Sequence, residues 1–128
     1  MQKAARHVAD QGRIIYIGSA ATRGPFPGAG LYGCSKMAPL YLVDSLALEI
    51  GARKVTVNAI QPTAVDGAGV FSVAGDYLEL KEQIAAMRPI EGRMATPQDV
   101  ADAAEYFASP LAHWVSGQHL LVTGGAPQ

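Results

Sequence analysis

The sequence predicts an α/β fold built on a parallel sheet. Three short β-branched or aromatic runs read as buried strands: RIIYIG at 13–18, KVTVNAI at 54–60 and HLLVTGG at 119–125. Stretches with helical spacing lie between them. Strands that alternate with helical crossovers pair in parallel.

Residues 1–10 read as a helix with Ala4, Ala5 and Val8 on one side, broken by Gly12. Strand 13–18 follows, then a loop from Ser19 to Gly30 rich in glycine and proline. A long helix is expected over about Leu31 to Ile50, closed by Gly51. Leu40, Val43, Ala47 and Ile50 share one face of it and should dock on the sheet. Pro39, inside this helix, removes one backbone donor. Strand 54–60 stops at Pro62. Residues 63–75 are mostly small and read as a mobile segment, followed by a helix over 76–87 that ends before Pro89.

TPQD at 96–99 is a helix start: Thr96 caps, Pro97 fits the first turn, and Asp99 suits its positive end. Val100, Ala103, Ala104 and Phe107 form the apolar stripe of that helix, and Ser109-Pro110 stops it. Strand 119–125 ends in a glycine pair.

Composition narrows the function classes. Net charge is −1 and the basic residues are scattered, which gives nucleic-acid binding no footing. No apolar run reaches membrane-spanning length, since Asp44 and Glu49 interrupt YLVDSLALEI. The opening MQKAARHVADQGR lacks the apolar core of a signal peptide. Cys34 is the only cysteine, so no internal disulfide can form and the cytoplasm is the expected location. His7, His113 and His119 lack zinc-site spacing, so no metal is expected.

GAGLYGCSK at 28–36 admits two readings. Gly28, Gly30 and Gly33 spell the glycine triplet of a dinucleotide-binding turn. Such a turn must follow a strand directly, and here a long loop intervenes. The same stretch carries Tyr32 and Lys36, four apart, which places them about 40° from each other on one helix face. That is the face expected to dock on the sheet. A lysine there either snorkels past the core or serves chemistry. Ser19 ends strand 13–18 at the carboxyl edge, where open parallel sheets bind ligands. It is a turn or cap residue, or one of three groups converging at that edge. A phenol with a pKa of about 10 is a poor proton donor and acceptor at neutral pH, and a neighbouring ammonium favours its charged form. Such a set suits carbonyl reduction or its reverse, with hydride from a cofactor.

These residues resemble the short-chain dehydrogenase/reductases. The likeness rests on GRIIYIGS, on YGCSK beginning thirteen positions after Ser19, on NAIQP at 58–62, on GRMATPQDVADAAEYFASP at 92–110 and on VSGQHLLVTGG at 115–125. The family's fold would make this a partial Rossmann-like, doubly wound parallel sheet comprising the last three strands with their helices. Residues 1–128 would be the C-terminal catalytic half of one NAD(P)-binding domain. The glycine-rich cofactor loop, the residue choosing NAD or NADP and the family's catalytic asparagine would belong to the other half. Strand 13–18 would then be left with an open edge.

By the same resemblance, Ser19 orients substrate, Tyr32 is the general acid/base, and Lys36 tunes Tyr32 and binds nicotinamide ribose. The segment after Pro62 wraps the nicotinamide, with Val65 offering its backbone amide. Residues from about 66 to 88 form the substrate lid. Two positions depart from the pattern: Thr63 stands where glycine is usual and Gly67 where threonine is usual. Both bear on cofactor affinity more than on chemistry.

The expected activity is hydride transfer between NAD or NADP and a carbonyl or secondary alcohol. The substrate would be a 3-oxoacyl thioester, a sugar, a steroid or a small cyclic alcohol. The alternative is a truncated, non-catalytic fragment that lacks the cofactor-binding half. The family commonly forms homotetramers. Leu42, Leu120 and Leu121 suit such an interface, though core packing explains them equally well.

Overall fold

A computed structural model describes residues 1–72 and 78–126. The elements are α1 (Gln2–His7), β1 (Arg13–Ile17), α2 (Gly30–Glu49), β2 (Thr56–Pro62), α3 (Leu78–Ala86), α4 (Pro97–Ala108) and β3 (His119–Val122). This is the expected order of helices and strands. The three strands form one sheet in the order β1-β2-β3, and both pairings are parallel. Ile14 stands opposite Val57, and Ile60 opposite Leu120.

Helices cover both faces of the sheet. On one face Leu40, Val43 and Leu46 of α2 pack with Ile14, Val55, Val57 and Ala59. On the other, Phe107 of α4 packs with Ile60 and Ala112, supported by Ile15, Val100, Ala103 and Ala104. Alternate strand residues point to opposite faces, which is why Ile14 and Ile15 join different clusters. Burying each large apolar side chain contributes about 1.5–3 kcal/mol. All seven residues of β2 are buried, as the central strand of a doubly covered sheet requires.

Several boundaries differ from the sequence expectation. The first helix spans only Gln2–His7, and Ala4 is exposed while Ala5 and Val8 pack on the core. The second strand runs two residues later than KVTVNAI. After α2 a 3-10 turn at Gly51–Arg53 extends the chain, and Lys54 (φ 58°), not Gly51, takes the left-handed conformation that redirects it. Pro62 therefore closes β2 from within: it lacks a donor, yet it pairs with Val122, and the next amide, Thr63 N, donates to Val122 O at 3.1 Å. The third strand ends at Val122, before Gly124 and Gly125, whose positive φ values leave the extended region. Pro39 interrupts neither end of α2, which runs as one helix.

The segment expected to be mobile carries defined backbone pairing where it is described. Val65 forms a parallel bridge with Ala95, and Gly69–Phe71 is a 3-10 turn. Positions 73–77, which include the start of the helix expected over 76–87, lie outside the described residues.

Core packing does not account for all the leucines. Leu42 is 49% exposed and Leu120 38%. The outer edge of β1 meets no strand among the described residues, and Ile17 at its end is 46% exposed.

Candidate active site at the carboxyl edge of the sheet

Ser19 follows β1 after a single residue, Gly18. Gly18 N still donates to Ile60 O at 2.7 Å, so the ladder holds to the last residue before the serine. Ser19 then caps a 3-10 turn over Ala20–Thr22, its Oγ accepting from Ala21 N at 3.2 Å. The turn-or-cap reading of Ser19 is thus realised. A hydroxyl has one donor and two acceptor positions, and capping uses one acceptor. The O–H has no acceptor among the described residues and can serve a substrate oxygen.

Gln61, fully buried near the end of β2, fixes this turn from below. Its Nε2 donates to Thr22 Oγ1 and lies 3.5 Å from Ser19 O. Residue spacing does not single out Gln61. The signal that could have found it is a polar side chain inside a strand buried along its whole length.

Tyr32 and Lys36 sit in the first two turns of α2. The helical spacing brings the ammonium over the ring, with Lys36 Nζ 5.8 Å from the Tyr32 centroid, within cation–π range. Tyr32 is 48% exposed, so the pair projects beyond the core face that Leu40 and Val43 bury. Lys36 makes no ion pair among the described residues. The Ser19 turn packs against this end of α2: a Cβ placed on Gly33 would stand 3.9 Å from Ala21 O. The structure thus brings the Ser19 turn and the Tyr32–Lys36 turn side by side at one sheet edge. No hydrogen bond joins Ser19, Tyr32 and Lys36 to one another.

Pro62, the last residue of β2, and Thr63 and Val65 beyond it occupy the same edge. Backbone bonds hold this segment to both neighbours: Thr63 N to Val122 O, and Asp66 N to Ala95 O at 2.8 Å. Thr63 Oγ1 accepts from Arg88, a buried arginine whose Nη1 also donates to Ile84 O. Burial lowers the pKa of Arg88 from its ordinary value, because desolvation penalises the charge. The unusual threonine therefore gives the arginine a partner that glycine could not. No hydrogen bond links Thr63 or Val65 to Tyr32 or Lys36.

The glycine triplet forms no phosphate cradle directly after a strand. Twelve residues separate the end of β1 from α2, and only Gly28 of the three has positive φ (85°). Among the described residues, no cluster of His, Cys, Asp and Glu could hold a metal, and no helix is long and apolar enough to cross a membrane. Cys34 is free and exposed.

Comparison with known proteins agrees with this architecture. A family model described as enoyl-(acyl carrier protein) reductase matches residues 1–127. A hydroxynaphthalene reductase-like protein of Metarhizium brunneum is 37% identical over 136 residues, covering 98% of this chain and 51% of that protein. The 7alpha-hydroxysteroid dehydrogenase of Escherichia coli is 37% identical over 117 residues, covering 91% of this chain and 45% of that enzyme. Among solved structures, a short-chain dehydrogenase/reductase from Serratia marcescens is 38% identical with a TM-score of 0.81, over 97% of this chain and 49% of the other. The angucycline C-6 ketoreductase LanV with bound NADP is 31% identical with a TM-score of 0.85, over 97% and 47%. The chain spans about half the length of the curated relatives it matches. It belongs to the short-chain dehydrogenase/reductase family.

Proposed function

We propose that this chain supplies the C-terminal catalytic half of a nicotinamide-dependent oxidoreductase that interconverts a carbonyl and a secondary alcohol. The observation that carries this reading is the Tyr32–Lys36 pair at the carboxyl edge of the sheet beside the Ser19 turn, with Tyr32 exposed and Lys36 half-buried. In the reductive direction the Ser19 O–H donates to the substrate oxygen, where negative charge builds up. The Tyr32 phenol passes its proton to that oxygen as it becomes an alcohol. In the oxidative direction Tyr32 takes the proton back.

The residues present fit the nicotinamide end of NAD or NADP. Lys36 has three donors and no carboxylate partner among the described residues, so it can hold ribose hydroxyls. The Pro62–Val65 segment at the same edge, with Thr63 held by Arg88, would flank the nicotinamide ring. The cofactor when bound supplies the hydride; the chain's own part is to orient the carbonyl and move the proton. The hydroxynaphthalene reductase-like, hydroxysteroid dehydrogenase and ketoreductase relatives make ring ketones the substrate class to test first, and a structural relative described as a betaketoacyl-ACP reductase adds 3-oxoacyl thioesters. A cytoplasmic location and a homotetramer or homodimer belong to the same proposal, and the exposed Leu42 and Leu120 suit such an assembly.

A second reading has its own support. The edge of β1 that meets no strand among the described residues, with Ile17 exposed, suits a chain that neither binds cofactor nor turns over by itself. Titration with NADH and NADPH separates the two, applied to this chain and to the product of the whole reading frame that contains it. Saturable binding with ketone-dependent oxidation of the nicotinamide in either form supports the enzyme reading. Binding confined to the longer product makes this chain alone a non-catalytic portion. Absence of binding in both overturns the proposal.

A further inference from the structure

A second cavity lies at the opposite edge of the sheet. Where the amino ends of β1 and β2 meet the loop before β3, a space of about 480 Å³ opens, walled in part by Gln11, Arg13, Lys54, Thr56, His113 and Trp114. That volume falls within the range of small-molecule sites. Among the described residues every ionisable group on its wall is basic, and no carboxylate lines it.

Among the described residues no carboxylate compensates Arg13 or Lys54 there. The nearby Arg53 is met by Asp10 at 2.7 Å. Arg13 Nη1 instead donates to two backbone carbonyls, Gln11 O at 2.7 Å and Gly12 O at 3.1 Å. Arg13 Nε and Thr56 Oγ1, on residues paired across β1 and β2, are closed off from solvent and have no hydrogen-bond partner among the described residues. Unpaired cations on a concave wall concentrate positive potential and favour an anion.

Three further features converge on the same cavity. Gln11 (φ 64°) and Lys54 (φ 58°) are both non-glycine residues in the left-handed region, and such strain clusters at ligand sites. Trp114 is 90% exposed, a flat apolar ring left in water beside the cations. His113 Nδ1 lies 3.1 Å from Pro110 O, which can only accept, so Nδ1 carries the proton and Nε2 remains for another partner.

We propose that this cavity binds a small aromatic anion: a planar ring that stacks on Trp114 and a phosphate or carboxylate met by Arg13 and Lys54. The site is separate from the Tyr32 edge and does not depend on the reading given to that edge.

Trp114 is the sole tryptophan of the sequence, so tryptophan emission reports on this cavity alone. The probe is phenyl phosphate, titrated into the 128-residue chain, with benzoate, phenol and inorganic phosphate titrated in parallel. Phenyl phosphate should change the emission saturably, and phenol and inorganic phosphate should bind about tenfold more weakly or worse, each lacking half of the recognised chemistry. Benzoate binding as tightly as phenyl phosphate supports the site with charge alone as its criterion; weaker benzoate supports it with phosphate preferred. Lys54→Gln and Arg13→Gln should each weaken phenyl phosphate about 5- to 10-fold by removing a charge-assisted contact. Far-UV circular dichroism checks their folding, and Lys54→Gln, whose side-chain ammonium makes no ion pair among the described residues, decides if Arg13→Gln unfolds. No saturable change with either anion, equal binding of phenol, or binding indifferent to the folded Lys54→Gln variant overturns the proposal.

Discussion

Replacing Asp99 by alanine removes the carboxylate that starts α4. Asp99 Oδ2 accepts from Thr96 N at 2.6 Å and from Thr96 Oγ1 at 2.8 Å, while Thr96 Oγ1 accepts from Asp99 N at 3.3 Å. The two residues form a reciprocal capping box. Arg93 adds a bidentate pair, Nη1 to Oδ2 at 2.7 Å and Nη2 to Oδ1 at 3.0 Å. Thr96 keeps its bond from the backbone amide of residue 99, so the cap itself survives; loss of the hydrogen bonds from Thr96 to the carboxylate costs about 1 kcal/mol, loss of the carboxylate at the helix N-terminus about 0.5, and loss of the partly exposed ion pair about 0.5 to 1. The sum, about 2 to 2.5 kcal/mol, corresponds to a drop in Tm of about 8–10 °C for a chain of this size. Thermal unfolding followed by circular dichroism measures it.

The same prediction has a pH signature. The Arg93 guanidinium, with the Thr96 backbone amide and hydroxyl, holds the Asp99 carboxyl well below the ordinary carboxylate range. A pKa lower in the folded than in the unfolded chain gives stability that is present above the unfolded value, near 4. That stability is lost as pH falls toward the folded pKa. The gap between the wild-type chain and Asp99→Ala should therefore be constant from about pH 5 to 8 and narrow below about pH 4. A Tm drop under about 2 °C, or a gap that stays constant through acidification, would refute the assignment of this network as a stabilising start to α4.

Two other substitutions probe the frame that carries the site. Phe107→Ala should cost about 3–5 kcal/mol in urea unfolding, because the ring is almost wholly buried between α4 and the sheet and leaves a cavity when removed. Asn58→Ala should cost about 2–4 kcal/mol: Asn58 Nδ2 donates to Val115 O at 2.8 Å and Oδ1 accepts from Gln118 N at 3.0 Å, so the change strands two backbone groups beside the entry to β3. A loss under about 1 kcal/mol at Asn58 would mean that the loop before β3 is set by other contacts.

Much of this frame was legible in the sequence, for local physical reasons. Thr96, Pro97 and Asp99 declare a helix start because a cap acts within one turn. Val100, Ala103, Ala104 and Phe107 recur at the helical period and do face the sheet. The Tyr32–Lys36 proximity follows from helix geometry alone. The shift of β2 was not legible, because it depends on Lys54 taking a left-handed conformation that a β-branched run beside it does not announce. Leu46 escaped the expected face of α2, although its packing is equal to that of Leu40. The roles of Gln61 and Arg88 rest on partners 39 and 25 residues away, and no local pattern encodes such distances. Leu42 and Leu120 show the converse limit: apolar periodicity marks a face but not whether that face is covered.

The most direct test of the account is the steady-state rate of Tyr32→Phe in the product of the whole reading frame, with NADH or NADPH and a ring ketone or 3-oxoacyl thioester. Removing one hydroxyl from an exposed ring should leave fold and cofactor binding in place while kcat falls by about 100-fold or more, the usual worth of a positioned proton donor. A Tyr32→Phe protein that reduces the ketone as fast as the unaltered one would contradict the account.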